Sequence, residues 1–433
     1  MAAGDEHLRH SVETRLWPLL EALAGTHEVA GLAVAVVREG EVAVRGFGVR
    51  DVGTGEPVTR ETMFHLASVS KPFVATAVVS LAVPRDGVAT VLDLDAPVVD
   101  RIPELTLADG REGEITARGL LSHTSGLPDV SDYGWHDPQL GDDALSAFAR
   151  SLSDWRLRTE PGAAYSYSNA GFELLGLLLS RVTGTTFEDA VRWVVLKPLA
   201  MRASTFLRAE VPARLAASPH VGRPLTVPGD AYPYNRRHAP SSTLHSHVDD
   251  MGRWMLALLE PSHLDPAVLE QMWQPVVPVG DPPWEEAAGL GWAVGTYLGQ
   301  RAVSHSGADP GFGSRLVLLP GRRTGVVVLA NSNTVPTWAV VEAALDIALD
   351  DPAGDGVSAL RSEVARLVGP AGRATHELDD DDLEKAVWGA IELHRTDLAW
   401  PLLRVWADVR PESPVLQEMT EWAHRVDRDT SSG

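Results

Sequence analysis

Strand-like patterns occur at the two ends of residues 1–350, with helical patterns between them. Near the start, residues 31–37 and 41–49 are apolar runs joined at Arg38-Glu39-Gly40, which predicts a hairpin. Later strand patterns, each bounded by Gly, Pro or Asn, cover residues 290–298, 302–306, 314–319 and 325–330. This distribution predicts an α+β fold in which one antiparallel sheet is built from both termini and flanked by helices.

The middle of this region has helical rather than strand-like spacing. Residues from about 83 to 228 carry short apolar runs between Pro and Gly, and we expect them to form an inserted α-rich lobe. Residues 351–374 are punctuated by Gly and Pro around one short helical pattern. They predict a linker that follows a main domain of residues 1–350.

The remaining residues, 375–433, predict a helical C-terminal extension. Helical patterns cover residues 380–393, 397–409 and 414–426, which carry Trp388, Trp400, Trp406 and Trp422. So short a segment buries little by itself, so we expect it to pack on the main domain; the alternative is a docking surface for a second copy or a protein partner. The acidic run 379–382 fits the first turn of a helix, where the helix dipole favours carboxylates, better than a calcium site.

The chain has three lysines, and one of them stands three residues after a serine. Ser68-Val69-Ser70-Lys71 opens the apolar stretch FHLASVSKPFVATAVVSL. At this spacing on a helix, the Ser68 hydroxyl and the Lys71 amine lie on one face, one turn apart. A helix N-terminus and a desolvated pocket both disfavour an ammonium, so Lys71 can serve as a base for Ser68. Pro72 fits this position, because the first turn of a helix tolerates proline.

Two further segments carry polar side chains in a suggestive order. Tyr167-Ser168-Asn169 lies in PGAAYSYSNAGFELLG, and His305-Ser306-Gly307 lies in AVSHSGADPGFGS on a predicted strand. Taken alone, Tyr167 is typical of a packed aromatic and Asn169 of a helix cap. Together with Ser68 and Lys71 they form the ordered series S-x-x-K, Y-x-N and [KH]-x-G.

This series resembles the serine β-lactamase and penicillin-binding-protein superfamily, specifically its class C-like branch of esterases and D-aminopeptidases. Further matching segments are LLSHTSGLPDV from residue 120, KPLAMRAST from residue 197, GLGW from residue 289 and VVVLANSN from residue 326. The resemblance covers roughly residues 6–350. It implies a β-lactamase/transpeptidase-like fold, with the C-terminal extension outside it.

The resemblance also implies a role for each matched residue. Ser68 would be the acylated nucleophile, Lys71 its base or the partner of that base, and Tyr167 the proton shuttle between nucleophile and leaving group. Whether Lys71 or Tyr167 takes the first proton is left open.

On the substrate side, the resemblance implies contacts from Asn169, His305 and Gly307. The oxyanion would lie between the backbone N–H groups of Ser68 and Ala308. His305 stands where penicillin-recognising members carry lysine, so the fixed positive charge that holds a β-lactam carboxylate is absent. This substitution weakens an antibiotic-hydrolysing function.

Other motifs narrow the chemistry further. We expect His123, in the SHTSGL segment, to fix a loop near the site, and His245 and His247 lack a third nearby metal ligand. The chain has no cysteine and no G-x-S-x-G, H-E-x-x-H or G-x-x-x-x-G-K-[ST] motif. We therefore expect no metal and no cofactor.

Charge and the N-terminal pattern bear on partners and location. The 37 basic and 59 acidic residues give a formal net charge of −22, which repels nucleic acid and anionic membrane surfaces. Charged residues interrupt every apolar run in residues 1–25, and no apolar stretch is long enough to span a bilayer. We expect a cytoplasmic protein that acts on a small molecule, with neither nucleic acid nor membrane as a partner.

These expectations favour a serine acyl hydrolase of the esterase or D-amino-acid peptidase type, acting on a small ester, amide or thioester. The alternative is a biosynthetic transacylase or a stand-alone peptide-cyclising thioesterase with the same acyl-enzyme. A second alternative is a non-catalytic interaction module, against which the intact motifs argue.

Overall fold

A sheet of nine antiparallel strands lies at the centre of the computed structural model, which describes residues 7–84, 91–260, 264–351, 353–368 and 378–431. The strands in chain order are β1 (Gly31–Arg38), β2 (Glu41–Asp51), β3 (Glu56–Pro57), β4 (Phe64–His65), β5 (His245–Ser246), β6 (Val277–Asp281), β7 (Glu285–Ala288), β8 (Ala293–Tyr297), β9 (Gln300–Asp309), β10 (Phe312–Leu319) and β11 (Thr324–Ala330). The order across the sheet is β3-β2-β1-β11-β10-β9-β8-β7-β6, and β4 and β5 form a separate pair.

Helices surround this sheet and extend beyond it. In chain order they are α1 (His7–Ser11), α2 (Trp17–Ala24), α3 (Lys71–Ala82), α4 (Ala117–Leu121), α5 (Ala144–Ser151), α6 (Asn169–Thr183), α7 (Phe187–Val191), α8 (Ala239–Ser242), α9 (Val248–Leu259), α10 (Pro266–Trp273), α11 (Thr337–Leu349), α12 (Gly356–Val368), α13 (Asp380–Glu392), α14 (Thr396–Val409) and α15 (Pro414–Ser431). Among the described residues, none of the helices combines the length and the apolar character that crossing a membrane requires.

The two ends of residues 1–350 meet in neighbouring strands. β1 pairs with β2 along the predicted hairpin, and on its other side with β11, from Leu32 opposite Ala330 to Arg38 opposite Thr324. All the paired strands of the large sheet are antiparallel. The predicted α+β architecture, with a sheet built from both termini, is confirmed.

Both faces of the sheet are covered by helices. On one face, Ala33, Ala35 and Val37 join the core formed with α3, α6 and α9. On the other face, Leu32 and Val34 join the core formed with α2, α11 and α12. Because neither face meets water, β1 has an uninterrupted apolar run instead of an alternating one.

The structure shortens one predicted strand and adds others. The predicted strand 290–298 begins only at Ala293, because Gly291 takes a left-handed φ of 74° and its position packs tightly against Ala75 of α3. The two-residue strands β3, β4 and β5 and the hairpin of β6 and β7 were not predicted. The sequence of β7, Glu-Glu-Ala-Ala, has low strand propensity, so pairing with β6 and β8 determines its conformation.

The segment expected to form an α-rich lobe has helices as its regular elements. Between residues 91 and 228, the described α-helices are α4 to α7. Long segments rich in Pro and Gly lie between α4 and α5, between α5 and α6, and after α7. The segment is therefore less helical than its sequence pattern suggested. These loops matter for the site, because they place side chains next to α3.

Part of the predicted linker is a helix packed on the main domain. α12 covers residues 356–368, and its Leu360 is fully buried in the core beneath α11. Residues 352 and 369–374 of the expected linker, and residues 375–377 at the start of the expected extension, lie outside the described residues. The short helical pattern expected within 351–374 is thus α12, and this helix packs on the main domain.

α13, α14 and α15 form the predicted helical extension, which we call the C-terminal bundle (residues 378–431). The bundle has a core of its own, and Trp135 and Val221 of the main domain are part of that core. The Asp379 side chain accepts a hydrogen bond from the Asp382 N–H and caps α13, as the acidic run predicted. The bundle therefore packs against the main domain through a hydrophobic core to which both contribute side chains.

Candidate active site

The Ser-x-x-Lys motif lies where a 3₁₀ turn, Ala67–Ser70, runs directly into α3. Ala67 enters the turn with a left-handed φ of 47°, a conformation that is uncommon for a residue other than glycine. Ser68 and Lys71 follow on one face of nearly continuous helical backbone. The sharp entry leaves Ser68 partly exposed, whereas Lys71 is fully buried.

Both predicted partners reach the Ser68 hydroxyl directly. Lys71 Nζ lies 2.9 Å from Ser68 Oγ. Tyr167 Oη, from the segment before α6, donates a hydrogen bond to the same oxygen at 3.0 Å. These separations are within the reach that a general base needs to take a proton. An amine and a phenol therefore meet at one alcohol oxygen.

Lys71 is held in place by acceptors on two other elements. Its Nζ donates to Asn169 Oδ1 at 2.6 Å and to the Ser241 carbonyl oxygen at 3.0 Å. Burial lowers the pKa of Lys71 to about 8, and the nearby carboxyl groups of Glu173 and Asp309 oppose this change. A substantial fraction of Lys71 is thus neutral in mildly alkaline solution, and a neutral amine can accept a proton.

Tyr167 is a proton donor in this arrangement. Burial raises the pKa of Tyr167 well above its usual value, so its phenol stays protonated at neutral pH. The His123 ring stacks on the Tyr167 ring with centroids 4.4 Å apart. His123 Nδ1 also accepts a hydrogen bond from the Ser168 N–H at 3.1 Å. His123 therefore contacts both the Tyr167 ring and the backbone beside it.

Asn169 has internal partners on both sides of its amide. Oδ1 accepts from Lys71, while Nδ2 donates to Asp129 Oδ2 at 3.1 Å and to Tyr133 Oη at 2.6 Å. Asn169 also begins α6, and Asp129 accepts from its backbone N–H at 2.6 Å. Its expected contact with substrate stays a prediction; the structure shows an amide that orients Lys71.

His305 lies on β9 and lines the same cavity as Ser68. Its Nδ1 donates to the Ser306 carbonyl oxygen at 2.7 Å, which leaves Nε2 as an acceptor. Burial is the largest cause that lowers the pKa of His305 to about 3, and the charge of Lys71 adds to it. The ring is therefore uncharged at neutral pH and offers no fixed cation to a substrate.

Gly307 lies where β9 approaches the nucleophile most tightly. A Cβ atom at Gly307 would lie 2.4 Å from Ser314 Oγ, 2.5 Å from the Leu66 carbonyl oxygen and 3.0 Å from Ser68 N. Only glycine leaves room for this approach. Ala308 follows, is exposed to solvent, and lines the cavity with Ser68. β9 thus lies directly against the turn that carries Ser68, and the oxyanion role of the Ser68 and Ala308 N–H groups stays a prediction.

The sequence analysis did not identify Glu173, a buried carboxyl group that acts on Lys71. Glu173 lies one helical turn after Asn169 on α6 and is fully buried. It accepts hydrogen bonds from Ser241 Oγ at 2.6 Å and engages His238 Nδ1 at 3.1 Å. An acidic residue on the same face as Asn169 is the one sequence feature that pointed to it.

His245 and His247, the two histidines considered as metal ligands, both bind protein groups. His245 Nδ1 lies 2.8 Å from the Thr243 carbonyl oxygen, and its Nε2 lies 3.0 Å from Tyr232 Oη. His247 caps α9 by accepting from the Asp250 N–H at 3.1 Å. In the part of the chain that the structure describes, no cluster of three or more His, Asp or Glu side chains is placed to hold a metal ion.

The Ser68 hydroxyl opens into a cavity of about 180 Å³. Aromatic residues form much of its wall, and these are His123, Tyr165, Tyr167, Trp292 and His305. Glu285 of β7 also lines the cavity, is half-buried, and has no hydrogen bond or ion pair among the described residues. Burial raises the pKa of Glu285, partly offset by Arg315. A larger cleft of about 820 Å³ adjoins the cavity at Ser306 and Ala308 and extends to the C-terminal bundle.

Three features define the class of β-lactamase/transpeptidase-like proteins. They are a sheet built from strands of both termini, a Ser-x-x-Lys turn at the start of a buried helix, and a tyrosine from the inserted segment. Comparison with known proteins agrees with this class. The family model described as Beta-lactamase matches residues 16–350, and the chain belongs to that family. The family supports a β-lactamase-fold hydrolase, as the sequence motifs indicated.

Individual relatives share the same domain. The chain is 30% identical over 336 residues to penicillin-binding protein 4 of Amycolatopsis lactamdurans, covering 73% of this chain and 85% of that protein. The octameric penicillin-binding protein homologue from Pyrococcus abyssi matches with a TM-score of 0.68 and 26% identity, over 81% of this chain and 80% of that one. A D-amino acid amidase from Ochrobactrum anthropi SV3 matches with a TM-score of 0.66 and 21% identity, over 79% and 99%.

Proposed function

We propose that the protein is a serine acyl hydrolase that cleaves a small ester or amide through an acyl-enzyme on Ser68. The observation that carries this proposal is the pair of distances from Ser68 Oγ, 2.9 Å to Lys71 Nζ and 3.0 Å to Tyr167 Oη. A serine hydroxyl is a weak nucleophile until an adjacent base takes its proton. Here a buried amine with a lowered pKa and a phenol share that position.

The proposed reaction has two steps. Ser68 Oγ attacks the carbonyl carbon, its proton passes to the Lys71–Tyr167 pair, and the N–H groups of Ser68 and Ala308 stabilise the oxyanion. The scissile bond breaks as the pair returns the proton to the leaving alcohol or amine. Water then attacks the Ser68 ester, giving its proton to the same pair, and the acid leaves as Ser68 regains its hydrogen.

The cavity favours a small acyl group that bears an amine. Its volume of about 180 Å³ is below that of a drug-sized pocket. Glu285 lines this space with no hydrogen bond or ion pair among the described residues, and the Tyr165 ring lies beside it. A substrate ammonium would gain both an ion pair and a cation–π contact there. The D-amino acid amidase with the same fold is consistent with such a substrate.

The two alternatives differ from this proposal in different ways. A transacylase or cyclising thioesterase uses the same Ser68 ester but a different acceptor, and no contact among the described residues favours an acceptor over water. A non-catalytic module needs no base at Ser68, whereas the structure keeps an amine and a phenol at hydrogen-bond distance. We therefore retain hydrolysis as the proposed function.

We expect a fluorophosphonate to modify the protein once, at Ser68. Intact-mass measurement gives the number of adducts, and peptide mapping gives the residue. The Ser68→Ala variant is the control and should remain unmodified. A wild-type protein that stays unmodified, or an adduct on another residue, would contradict the proposed acyl-enzyme.

We expect Glu285→Gln to remove a preference for substrates that carry an amine. For an amino-acid p-nitroanilide, kcat/KM should fall by about 10- to 100-fold, because a partly buried charged hydrogen bond is lost. For the same anilide without the amine, kcat/KM should change little. The neighbouring Glu286, which is exposed, provides the matched control Glu286→Gln. Equal losses for the two substrates would assign Glu285 to structure and not to recognition.

A further inference from the structure

The C-terminal bundle lies outside the family match, which ends at residue 350, yet it shares its core with the main domain. Trp135 is buried among bundle side chains, and the His394 ring stacks on the His136 ring with centroids 3.8 Å apart. On α13, a Cβ at Gly389 would lie 2.8 Å from Val221 Cγ1 and 3.4 Å from Gly311 N. The bundle is thus in close contact with two loops of the main domain.

The first of these loops leads directly to the base. The Tyr133 ring stacks on the Trp135 ring with centroids 4.8 Å apart and planes 9° from parallel. Tyr133 Oη accepts a hydrogen bond from Asn169 Nδ2 at 2.6 Å, and Asn169 Oδ1 accepts one from Lys71 Nζ at 2.6 Å. Each step from the bundle core to the amine is a stacked ring or a hydrogen bond.

The second loop leads to the strand beside Ser68. Gly311 lies in the turn between β9 and β10, directly after the segment that carries Gly307 and Ala308. The close approach at Gly389 sets α13 against this turn. Glu392, at the end of α13, lies near enough to Asp309 of β9 that the two carboxyl groups interact. The bundle therefore contacts the loop that leads to Lys71 and the turn that follows Ala308.

We propose that the C-terminal bundle is a positioning part of the active site: it holds the Tyr133–Trp135 segment, and through Asn169 it fixes the place of Lys71. The family domain supplies the reacting groups, and the extension sets their geometry. A misplacement of about 1 Å can cost about 10²-fold in rate, so contacts distant from the reaction have measurable effects. The inference rests on the acyl-enzyme proposed above.

The test compares a loop variant and a bundle variant in the full chain. Tyr133→Phe keeps the ring stack and removes only the hydroxyl that Asn169 uses. Gly389→Val should push α13 away from Val221 and Gly311. Gly389→Ala should do the same to a smaller extent, and it replaces the valine variant in the test if that variant does not fold. The matched control is Ala407→Val on the exposed face of α14.

We expect Tyr133→Phe and Gly389→Val to slow the phosphonylation of Ser68 by a fluorophosphonate by about 10- to 100-fold. For an activated ester substrate, kcat should fall by a similar factor with little change in KM. Their pH profiles should also move. A looser site admits water, so the Lys71 pKa should rise from about 8 towards 10.5, and the half-maximal rate should shift to higher pH. The titratable groups that face Lys71 are Asp129, Glu173, Asp309, His123, His305 and Tyr167.

The outcomes separate this inference from the proposed function. A wild-type protein without labelling contradicts the acyl-enzyme itself. If the wild type is labelled and folded Gly389 variants match it in rate and pH profile, the bundle does not position the site. An effect of Tyr133→Phe alone, without one at Gly389, also overturns the inference, since the loop would then hold Asn169 without the bundle. Ala407→Val should behave as the wild type.

Discussion

Replacement of Lys71 by alanine is expected to slow acylation of Ser68 by about 10²- to 10⁴-fold, the range that positioned acid–base groups contribute. The variant removes the amine 2.9 Å from Ser68 Oγ and leaves Tyr167 as the remaining partner. Because the phenol has a raised pKa, it cannot accept the proton from Ser68 without first losing its own. Stopped-flow acylation by an activated ester measures the rate.

The pH profile of the wild type gives this prediction a sign. Lys71 acts as a base only when neutral, and burial places its pKa at about 8. Acylation should therefore rise as the pH increases through about 8 and then level off. Lys71→Ala should lose this rise, whereas Lys197→Ala, at an exposed lysine, should keep it. A wild-type rate in Lys71→Ala would remove Lys71 from the mechanism.

Lysine and serine were recognised from the sequence because their geometry is local. Three residues on a helix place two side chains on one face whatever the rest of the chain does. The same locality explains why the hairpin of β1 and β2 was predicted almost to its ends. Tyr167 and β9 approach Ser68 only through tertiary packing, and their resemblance to a known series of motifs, not periodicity, indicated that they meet it.

The site residues that the sequence did not indicate lie on segments without a helical or strand periodicity of apolar residues. Asp129 and Tyr133 belong to an irregular loop, and nothing in its composition indicates that both bind Asn169. β7 is a strand because it pairs with β6 and β8, and its own sequence does not predict this. The position of Glu285 in the cavity was therefore not predicted either. Tertiary contacts decide such segments, which propensity describes poorly.

The Gly307→Ala variant is expected to lose both activity and stability. Its new Cβ would stand 2.5 Å from the Leu66 carbonyl oxygen and 2.4 Å from Ser314 Oγ, so β9 must move away from the turn that carries Ser68. Displacing the strand separates the N–H groups of Ser68 and Ala308, and kcat/KM should fall by about 10²-fold or more. Overpacking should lower the free energy of unfolding by about 1–3 kcal/mol.

Gly313→Ala provides the control, since Gly313 pairs with Ala308 on the next strand and a Cβ there meets nothing closer than 3.5 Å. This variant should keep the activity and the stability of the wild type. Both variants are assayed well below their unfolding temperatures, so that a loss of rate reports geometry and not unfolding. If Gly307→Ala were destabilised yet acylated at the wild-type rate, the distance between β9 and Ser68 would not govern the chemistry, and the oxyanion would have to be bound elsewhere.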